Sequence, residues 1–230
     1  MAQSYTVSLH SVEGKDNLLK ESVKSPAGFS SSAEAYGFIR DLAPSLQKRG
    51  YLAASVDSIA LAGNNYTAHV YLGEVYKWAK VDLDSLPEEV LSKNGFSRQQ
   101  WQGKTLDPRL IARISEKTLQ WAEDNGYPFA AVWLDITSPE NAYEITAAFR
   151  WNKGPVQKLD SIDIEGDLKI SWSYLLRYLD LEQGEPYNEK KLRGISSRLR
   201  DLAFLQEARP WQMDFKRTDN QLHIYLKEKK

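Results

Sequence analysis

Apolar positions in the last third of the chain follow first a helical and then a strand period. From residue 192 the apolar residues recur at i, i+3, i+7 and i+10, as Leu192, Ile195, Leu199 and Leu202. This spacing predicts an amphipathic helix, and Asn188 is placed to cap its first turn. A further helix is predicted over residues 172–181, with strands over residues 159–165, 205–216 and 220–227. The resulting order is β-α-α-β-β.

Turn residues separate these elements. Gly184 supplies a permissive backbone between the two helices, and Pro186 prevents the first helix from continuing. The two final strands are predicted to join at Arg217, Thr218 and Asp219. These signals make the last third a complete supersecondary unit.

The first third of the chain repeats this order less regularly. Strands are predicted over residues 5–12, 51–61 and 66–72, with a short helix over 16–23 and a longer one over 30–49. Pro44 is expected to interrupt the longer helix, and Gly50 to end it. The hairpin turns at residues 63–65.

The middle third shows the order again. Strands are predicted over residues 77–83, 127–137 and 143–151, the last two turning at Ser138, Pro139, Glu140 and Asn141. One helix opens at Pro87, and a second begins at Asp107-Pro108 and ends at Gly126.

Short sequence matches support a repeat. Arg49-Gly50-Tyr51 corresponds to Asn125-Gly126-Tyr127, and His69-Val70-Tyr71-Leu72 corresponds to His223-Ile224-Tyr225-Leu226. These offsets fit a period of about 77 residues, which is typical of tandem small domains. We therefore predict an α+β protein of three domains, at residues 1–74, 75–153 and 154–230.

Composition narrows the functional classes. The 230 residues carry a net charge of −1, which disfavours a nucleic-acid-binding protein because such proteins need a basic excess. The chain has no cysteine, so disulfides, thiol nucleophiles, iron–sulfur clusters and cysteine-ligated zinc are excluded. No apolar run approaches the ~20 residues of a membrane-spanning helix. Met1-Ala2 is interpreted as the start of a fragment lacking any targeting segment.

No catalytic residue, cofactor site or metal site is predicted. His69 and His223 occupy equivalent strand positions, which favours a structural role. Metal binding would require carboxylates to converge on them, and the sequence has no HxxxH or HxH spacing. The carboxylates of Asp160, Asp163 and Glu165 are interpreted as a solvated strand face. Neither a Gly-x-Ser-x-Gly elbow nor a glycine-rich phosphate loop is present.

The third repeat resembles a POTRA (polypeptide-transport-associated) domain. The resemblance rests on Tyr174-Leu175-Leu176, Leu181-x-x-Gly184-x-Pro186-Tyr187, Leu192 to Leu199 and Phe204-Leu205. The second repeat shares the signature Asn125-Gly126-Tyr127, and the first departs from the pattern at Pro44. POTRA domains precede the membrane barrel in outer-membrane assembly proteins of the BamA and TamA type. The resemblance implies three β-α-α-β-β domains, each a three-stranded mixed sheet with two helices on one face.

The same resemblance implies a function. We expect a periplasmic array, adjacent to the outer membrane, that binds unfolded outer-membrane or secreted polypeptides and passes them to a C-terminal β-barrel absent from this fragment. One alternative is the POTRA region of a two-partner-secretion transporter, although those resemble two units. Another is a scaffold that docks accessory lipoproteins. An enzyme is not expected, because no acid/base pair is identifiable.

Strand pairing is the expected mode of binding. The second strand of each hairpin is expected to be central, which leaves the first strand with an open edge able to pair with an extended client. The predicted client-binding residues are Ala53, Ala54, Ser55, Val56, Ala130, Ala131, Val132, Trp133, Gln206, Glu207 and Ala208. In the alternative interpretation the edges are blunted against aggregation by Asp57, Asp135, Arg209 and Pro210.

Aromatic residues give one further prediction. The chain has seven tryptophans, and those on strands or helices are expected to pack in cores or between domains. Phe96 and Trp101 lie in a polar loop, which predicts an exposed contact for a partner protein or a membrane surface.

Overall fold

The computed structural model describes residues 4–137, 142–166, 170–216 and 219–229. The first set of elements comprises β1 (Thr6–Ser11), α1 (Asp16–Ser22), α2 (Ser32–Arg40), α3 (Leu42–Gln47), β2 (Ser55–Ala62) and β3 (Asn65–Tyr71). The second comprises β4 (Lys77–Asp82), α4 (Glu88–Asn94), a 3₁₀ turn (Arg98–Gln100), α5 (Pro108–Asp124), β5 (Ala131–Thr137) and β6 (Glu144–Asn152). The third comprises β7 (Ser161–Glu165), α6 (Trp172–Leu179), α7 (Glu189–Asp201), β8 (Leu205–Asp214) and β9 (Gln221–Glu228).

Each set builds one three-stranded sheet. The strand orders are β1-β3-β2, β4-β6-β5 and β7-β9-β8. The first strand of each set runs parallel to the central strand. In the first and third sheets the hairpin partner runs antiparallel to it. The predicted α+β class and the central position of the last strand are therefore confirmed.

The helix predicted over residues 30–49 is divided. α2 ends at Arg40 and α3 begins at Leu42, so the break lies at Asp41, three residues before Pro44. A proline lacks an amide hydrogen, and its ring clashes with the carbonyl four residues earlier, here that of Arg40. The proline therefore interrupts the helix as predicted, but the break falls on the preceding turn.

The first sheet packs its helices against one face. Tyr66, Ala68 and Val70 alternate along β3 and are buried, whereas the residues between them are more exposed. They join a core with residues of all three helices: Leu19, Ala35, Ile39, Leu42 and Leu46. This period of two shows that the opposite face of the first sheet carries no helix of its own set.

The third sheet has the same one-sided construction. Leu222, Ile224 and Leu226 of β9 are buried in a core with Leu175 of α6 and with the predicted α7 stripe. The Asn188 side chain accepts a hydrogen bond from the Lys191 amide at 2.9 Å, so the predicted cap is confirmed. The other face of this sheet is lined by the alternate, polar residues of its strands.

The expected exposure of Phe96 and Trp101 is wrong. Phe96 is 7% exposed and Trp101 is 2% exposed, and the Trp101 ring meets the Trp78 ring edge-on at 5.9 Å. The cause lies in the backbone: the Gly103 amide donates to the Trp78 carbonyl at 2.7 Å, and the Lys104 carbonyl accepts from the Trp78 amide at 2.9 Å. The loop is thereby held along β4, and its two aromatic side chains enter the core.

Two predicted turns lie outside the described residues, and two strands begin later than predicted. The turns at residues 138–141 and at residues 217 and 218 lie outside the described residues. The strand predicted from residue 127 begins only at Ala131, and the one predicted from residue 51 begins at Ser55. In both cases the residues after the glycine form a turn before the chain extends.

The chain divides into two compact units. One comprises residues 1–85, 91–114 and 134–149, and the other comprises residues 86–90, 115–133 and 150–230. The middle set of elements contributes to both, and the domain boundaries at residues 74 and 153 remain a prediction. Among the described residues no helix combines the length and apolar character needed to cross a bilayer.

Candidate strand-pairing edges

One edge of every sheet is bonded to its own chain where its strand begins. An antiparallel bridge joins Tyr5 to Phe29 beside β1, Lys77 to Thr105 at β4, and Lys158 to Pro186 just before β7. At the third sheet, the Leu159 amide donates to the Glu185 carbonyl at 2.9 Å. The segment that precedes the second helix therefore bonds to the start of this edge in each set.

The opposite edges are β2, β5 and β8. Each has one neighbouring strand, and within the described ranges no backbone hydrogen bond joins its outer side to another element. Unpaired strand edges can accept an additional strand. These three strands are therefore the candidate binding edges.

Hydrogen bonds to β1 show which way the groups of β3 point. The carbonyl oxygens of Asn64 and Val70 accept from the amides of Thr6 and Val12, both at 3.0 Å. Because backbone groups alternate in direction along a strand, the even-numbered residues of this stretch face β1 and the odd-numbered ones face β2.

The register of β2 then identifies its free groups. Ser58, Ala60 and Ala62 pair with the odd-numbered residues of β3 and direct their amides and carbonyls into the sheet. The intervening residues Ile59 and Leu61 direct theirs outward. β2 thus presents two amides and two carbonyls in register to an incoming strand.

The side chains along this edge are apolar. Ile59 and Leu61 are 39% and 53% exposed and lie on the helix-covered face, since their partners Ala68 and Tyr66 are buried. Tyr36 of α2 is also half-exposed, and its ring lies 6.5 Å from that of Tyr66. Residues 58–62 contain neither a charged residue nor a proline. We call this region, Ile59 and Leu61 with Tyr36, the β2 edge surface.

β5 is less uniform. Trp133 and Ile136 are each about half-exposed on it, and Phe129 is exposed just before it. Asp135 lies between the two exposed apolar residues. A charge in an edge strand opposes the addition of a further strand, so β5 is a weaker candidate than β2.

β8 is blunted. Its register shifts between Glu207 and Arg209 and again between Arg209 and Gln212, so it carries two bulges. Pro210 lies within the second bulge and cannot donate a hydrogen bond. The Arg209 guanidinium packs over the Tyr225 ring at 3.5 Å. Bulges, proline and charge all discourage pairing, so β8 is a weaker candidate than β2, and the alternative interpretation of Arg209 and Pro210 applies best to this edge.

The structure places the predicted residues unevenly. Ala53 and Ala54 precede β2, and Ala54 is buried with its amide bonded to the Tyr51 carbonyl at 3.0 Å. Ser55 and Val56 lie in β2 before its bulge at Asp57. These four residues are thus on or beside the edge strand, but they precede its regular part.

In the other two sheets the predicted residues fall as follows. Ala130 precedes β5, while Ala131, Val132 and Trp133 lie in it. Gln206 and Glu207 open β8, and Ala208 falls at its first bulge.

Sequence reasoning did not single out Ile59 and Leu61. Gly63, with a φ of 59°, and Asn64 form a two-residue turn between β2 and β3. Pairing is most regular next to such a turn, because the turn sets the register. That signal indicates the end of β2 nearest the turn, whereas the prediction was placed at the opposite end.

Part of the chain matches a known protein family, and the whole chain matches a known structure. Residues 157–229 match the POTRA family model, described as a surface antigen variable number repeat. The chain superposes on the crystal structure of POTRA domains 3–5 of BamA from Haemophilus influenzae with a TM-score of 0.60, at 14% identity, covering 100% of this chain and 99% of that one. No curated protein sequence matches the chain significantly.

Two further structures are more distant. BamA from Haemophilus ducreyi lacking POTRA domains 1–3 gives a TM-score of 0.48 at 21% identity, covering 67% of this chain and 29% of that one. POTRA domains 1–3 of Omp85 from Anabaena give a TM-score of 0.40 at 12% identity, covering 99% and 96%. The resemblance of the third repeat to a POTRA domain is confirmed by the family match, and the whole chain has the fold of consecutive POTRA domains.

Proposed function

We propose that this chain, with a POTRA match in its third repeat and the fold of consecutive POTRA domains, is a periplasmic, non-catalytic array that captures extended polypeptides by strand addition at β2. The observation that supports this most directly is the outward direction of the backbone groups of Ile59 and Leu61, within the uncharged run of residues 58–62. The opposite edge of each sheet is already bonded to its own chain where its strand begins, which makes that end less available for pairing.

The expected affinity is low. Four backbone hydrogen bonds at roughly 0.5–1.5 kcal/mol each contribute about 2–6 kcal/mol before the client loses conformational entropy. This corresponds to dissociation constants of about 0.05 mM or weaker. Weak capture suits a relay, because a client has to leave as readily as it arrives.

The side chains of the β2 edge surface favour apolar residues in a client without specifying its sequence. Ile59, Leu61 and Tyr36 offer apolar surface on one face of an added strand, while its other face meets solvent. A client with alternating apolar and polar residues satisfies both faces, and strands of outer-membrane barrels have that alternation. We therefore propose unfolded outer-membrane or secreted polypeptides as clients and an outer-membrane β-barrel as their destination.

A titration observed by NMR tests the proposal. The isotopically labelled full chain is mixed with a ten-residue peptide of alternating valine and threonine. We expect shifted and more slowly exchanging amides at Ile59 and Leu61, because these groups acquire new partners. The amides of the blunted strand β8 provide the comparison within the same molecule, and equal or larger changes there would contradict capture at β2.

Crosslinking separates capture from scaffolding. A photo-crosslinker in place of Leu61, which is half-exposed, is expected to trap unfolded porin-like chains in the periplasm. A defined, folded lipoprotein as the sole product would instead favour the docking scaffold. A crosslinker in place of Leu18, an exposed leucine on α1, serves as the control.

A further inference from the structure

The outer face of the third sheet gathers one histidine and three carboxylates. Asp163 and Glu165 are two residues apart on β7 and share a face, and His223 of β9 is the register partner of Asp163. Asp214 ends β8 beside them. These residues are separated by as many as 60 positions in sequence and meet only because β7 and β8 both flank β9.

The distances suit a small cation. His223 Nδ1 lies 3.5 Å from Asp163 Oδ2 and 3.8 Å from Glu165 Oε1, and the three donor atoms all lie within 4.8 Å of one another. In a tetrahedral zinc site the bonds are about 2.0–2.2 Å long, which separates neighbouring donor atoms by roughly 3.3–3.6 Å. Nδ1 and Asp163 already have this spacing, and Glu165 Oε1, at 3.8 Å from Nδ1, is close to it.

The histidine nitrogen that faces the two carboxylates lacks a hydrogen-bond partner among the described residues. Nδ1 of His223 is shielded from solvent, and among the described residues it has no hydrogen-bond partner. Buried polar atoms are nearly always satisfied, so an orphaned nitrogen directed at two carboxylates indicates an interaction of another kind. A cation between the three donors would satisfy it.

The second ring nitrogen is arranged as in metal sites. Nε2 of His223 lies 3.5 Å from Asp214 Oδ2, so Asp214 is placed to orient the ring, as carboxylates behind metal-bound histidines do. The ring also stacks on Tyr225 at 6.3 Å with planes 6° apart. Arg209 approaches only the other oxygen of Glu165, at 3.9 Å, and leaves Oε1 facing the histidine.

We propose that Asp163, Glu165 and His223 bind a divalent transition-metal ion of the zinc class, with Asp214 as a positioning residue. Imidazole with carboxylates is a donor set for zinc and its neighbours rather than for calcium or magnesium, which prefer all-oxygen sites. Water would complete the coordination on the exposed side. The bound ion joins β7 to β9 on the face opposite the helices and does not involve β2, so this proposal is independent of strand capture.

Calorimetric titration of the full chain with zinc chloride tests the site. We expect one saturable site per chain, loss of binding in His223→Gln, and a 10- to 100-fold weaker affinity in Asp214→Asn. Zinc is also expected to raise the melting temperature of the wild-type chain, because the ion binds the folded state. The double variant Asp163→Asn with Glu165→Gln repeats the test without removing the histidine, and circular dichroism checks that each variant folds.

The chain offers a matched control. His69 holds the equivalent position in the first sheet, where its ring neighbour is His10 at 5.8 Å. His69→Gln is expected to leave zinc affinity unchanged. The proposal is overturned if zinc shows no saturable binding, if binding survives in His223→Gln, if it is lost in His69→Gln, or if calcium binds as tightly as zinc.

Discussion

Gly50 and Gly126 explain why a Gly-Tyr pair recurs in the sequence. Both have a φ of 92°, a conformation that favours glycine. The Gly50 carbonyl accepts from the Tyr76 amide at 2.9 Å, and the Gly126 carbonyl accepts from the Gln157 amide at 2.8 Å. Each glycine therefore ends a helix and also receives the chain that enters the next predicted repeat, so the motif marks a joint as well as a helix end.

Two substitutions distinguish the cost of the close contact at this joint from the cost of the backbone conformation. In Gly50→Ala the new Cβ would overlap Cγ2 of Thr105 and lie 3.3 Å from the Tyr76 carbonyl oxygen. Gly63 also has a positive φ, but a Cβ there would meet nothing within 4 Å. We expect Gly63→Ala to cost about 1–2 kcal/mol of unfolding free energy from conformation alone, and Gly50→Ala about 1–3 kcal/mol more. Urea unfolding measures both, and equal losses would show that the contact is unimportant.

Glu13 closes the end of β3 with its carboxylate. Its Oε2 accepts from the amides of Leu72 and Gly73 at 2.9 and 2.8 Å, and Lys15 lies 3.0 Å from Oε1. Desolvation acts to raise the pKa of Glu13, but the hydrogen bonds from Gly73, Lys15 and Leu72 outweigh it and hold the pKa below its usual 4.5. The carboxylate therefore stabilises the fold above the unfolded pKa, and this contribution is lost as the pH falls through the lowered folded value.

Glu13→Gln should reveal that dependence. At pH 7 we expect a loss of about 1–3 kcal/mol, because two amides lose a charged acceptor. Below pH 4 the difference from wild type should shrink, since the wild-type carboxylate becomes protonated as well. Hydrogen exchange of the β3 amides, followed across this pH range, reports the local stability. A difference that stays constant with pH would contradict the assigned role.

At the level of elements, β2 and β8 occupy the same position in their sheets, but their edges differ in regularity and charge. β2 has one bulge and then a regular uncharged run, whereas β8 has two bulges, Arg209 and Pro210. The fold alone therefore does not determine which edge is open; a few residues in each strand do.

Transferring a proline to β2 tests this reasoning. Ile59→Pro removes an outward amide that takes no part in the sheet, and proline is tolerated on edge strands. We expect the fold to be retained and peptide capture to fall at least about tenfold, a loss comparable to one or two hydrogen bonds. Ile59→Thr keeps the amide while removing most of the apolar side chain, so it separates the backbone from the side-chain contribution. Capture that is unchanged in Ile59→Pro would exclude pairing through this strand.

At the level of the whole molecule, the sequence predicted what depends on local periodicity. The α7 stripe and its Asn188 cap were found because helix faces and caps are determined by neighbouring residues. The burial of Trp101 was not predicted, because it depends on backbone hydrogen bonds between its loop and β4. His223 was interpreted as structural because the carboxylates that surround it come from two other strands. Contacts between distant segments carry no period in the sequence.

The boundary predicted at residue 154 has a consequence for folding. Every residue of the third core lies between Leu159 and Leu226, so residues 154–230 contain a complete hydrophobic core. That fragment lacks the hydrogen bond from Gln157 to Gly126 and the packing of Phe129 on Phe215. It also lacks the contact with α5, where the Asp124 carbonyl accepts from Asn188 Nδ2 at 2.7 Å and its carboxylate accepts from the Lys190 amide at 2.9 Å. The contacts with α5 are polar and lie at the start of α7, and none of the lost contacts belongs to the core, so we expect their loss to remove about 1–3 kcal/mol. We therefore expect residues 154–230 to unfold cooperatively in urea with a dispersed amide spectrum, and residues 115–230 to be more stable by that amount. A fragment 154–230 without cooperative unfolding would show that α5 belongs to the third folding unit and that the boundary lies before it.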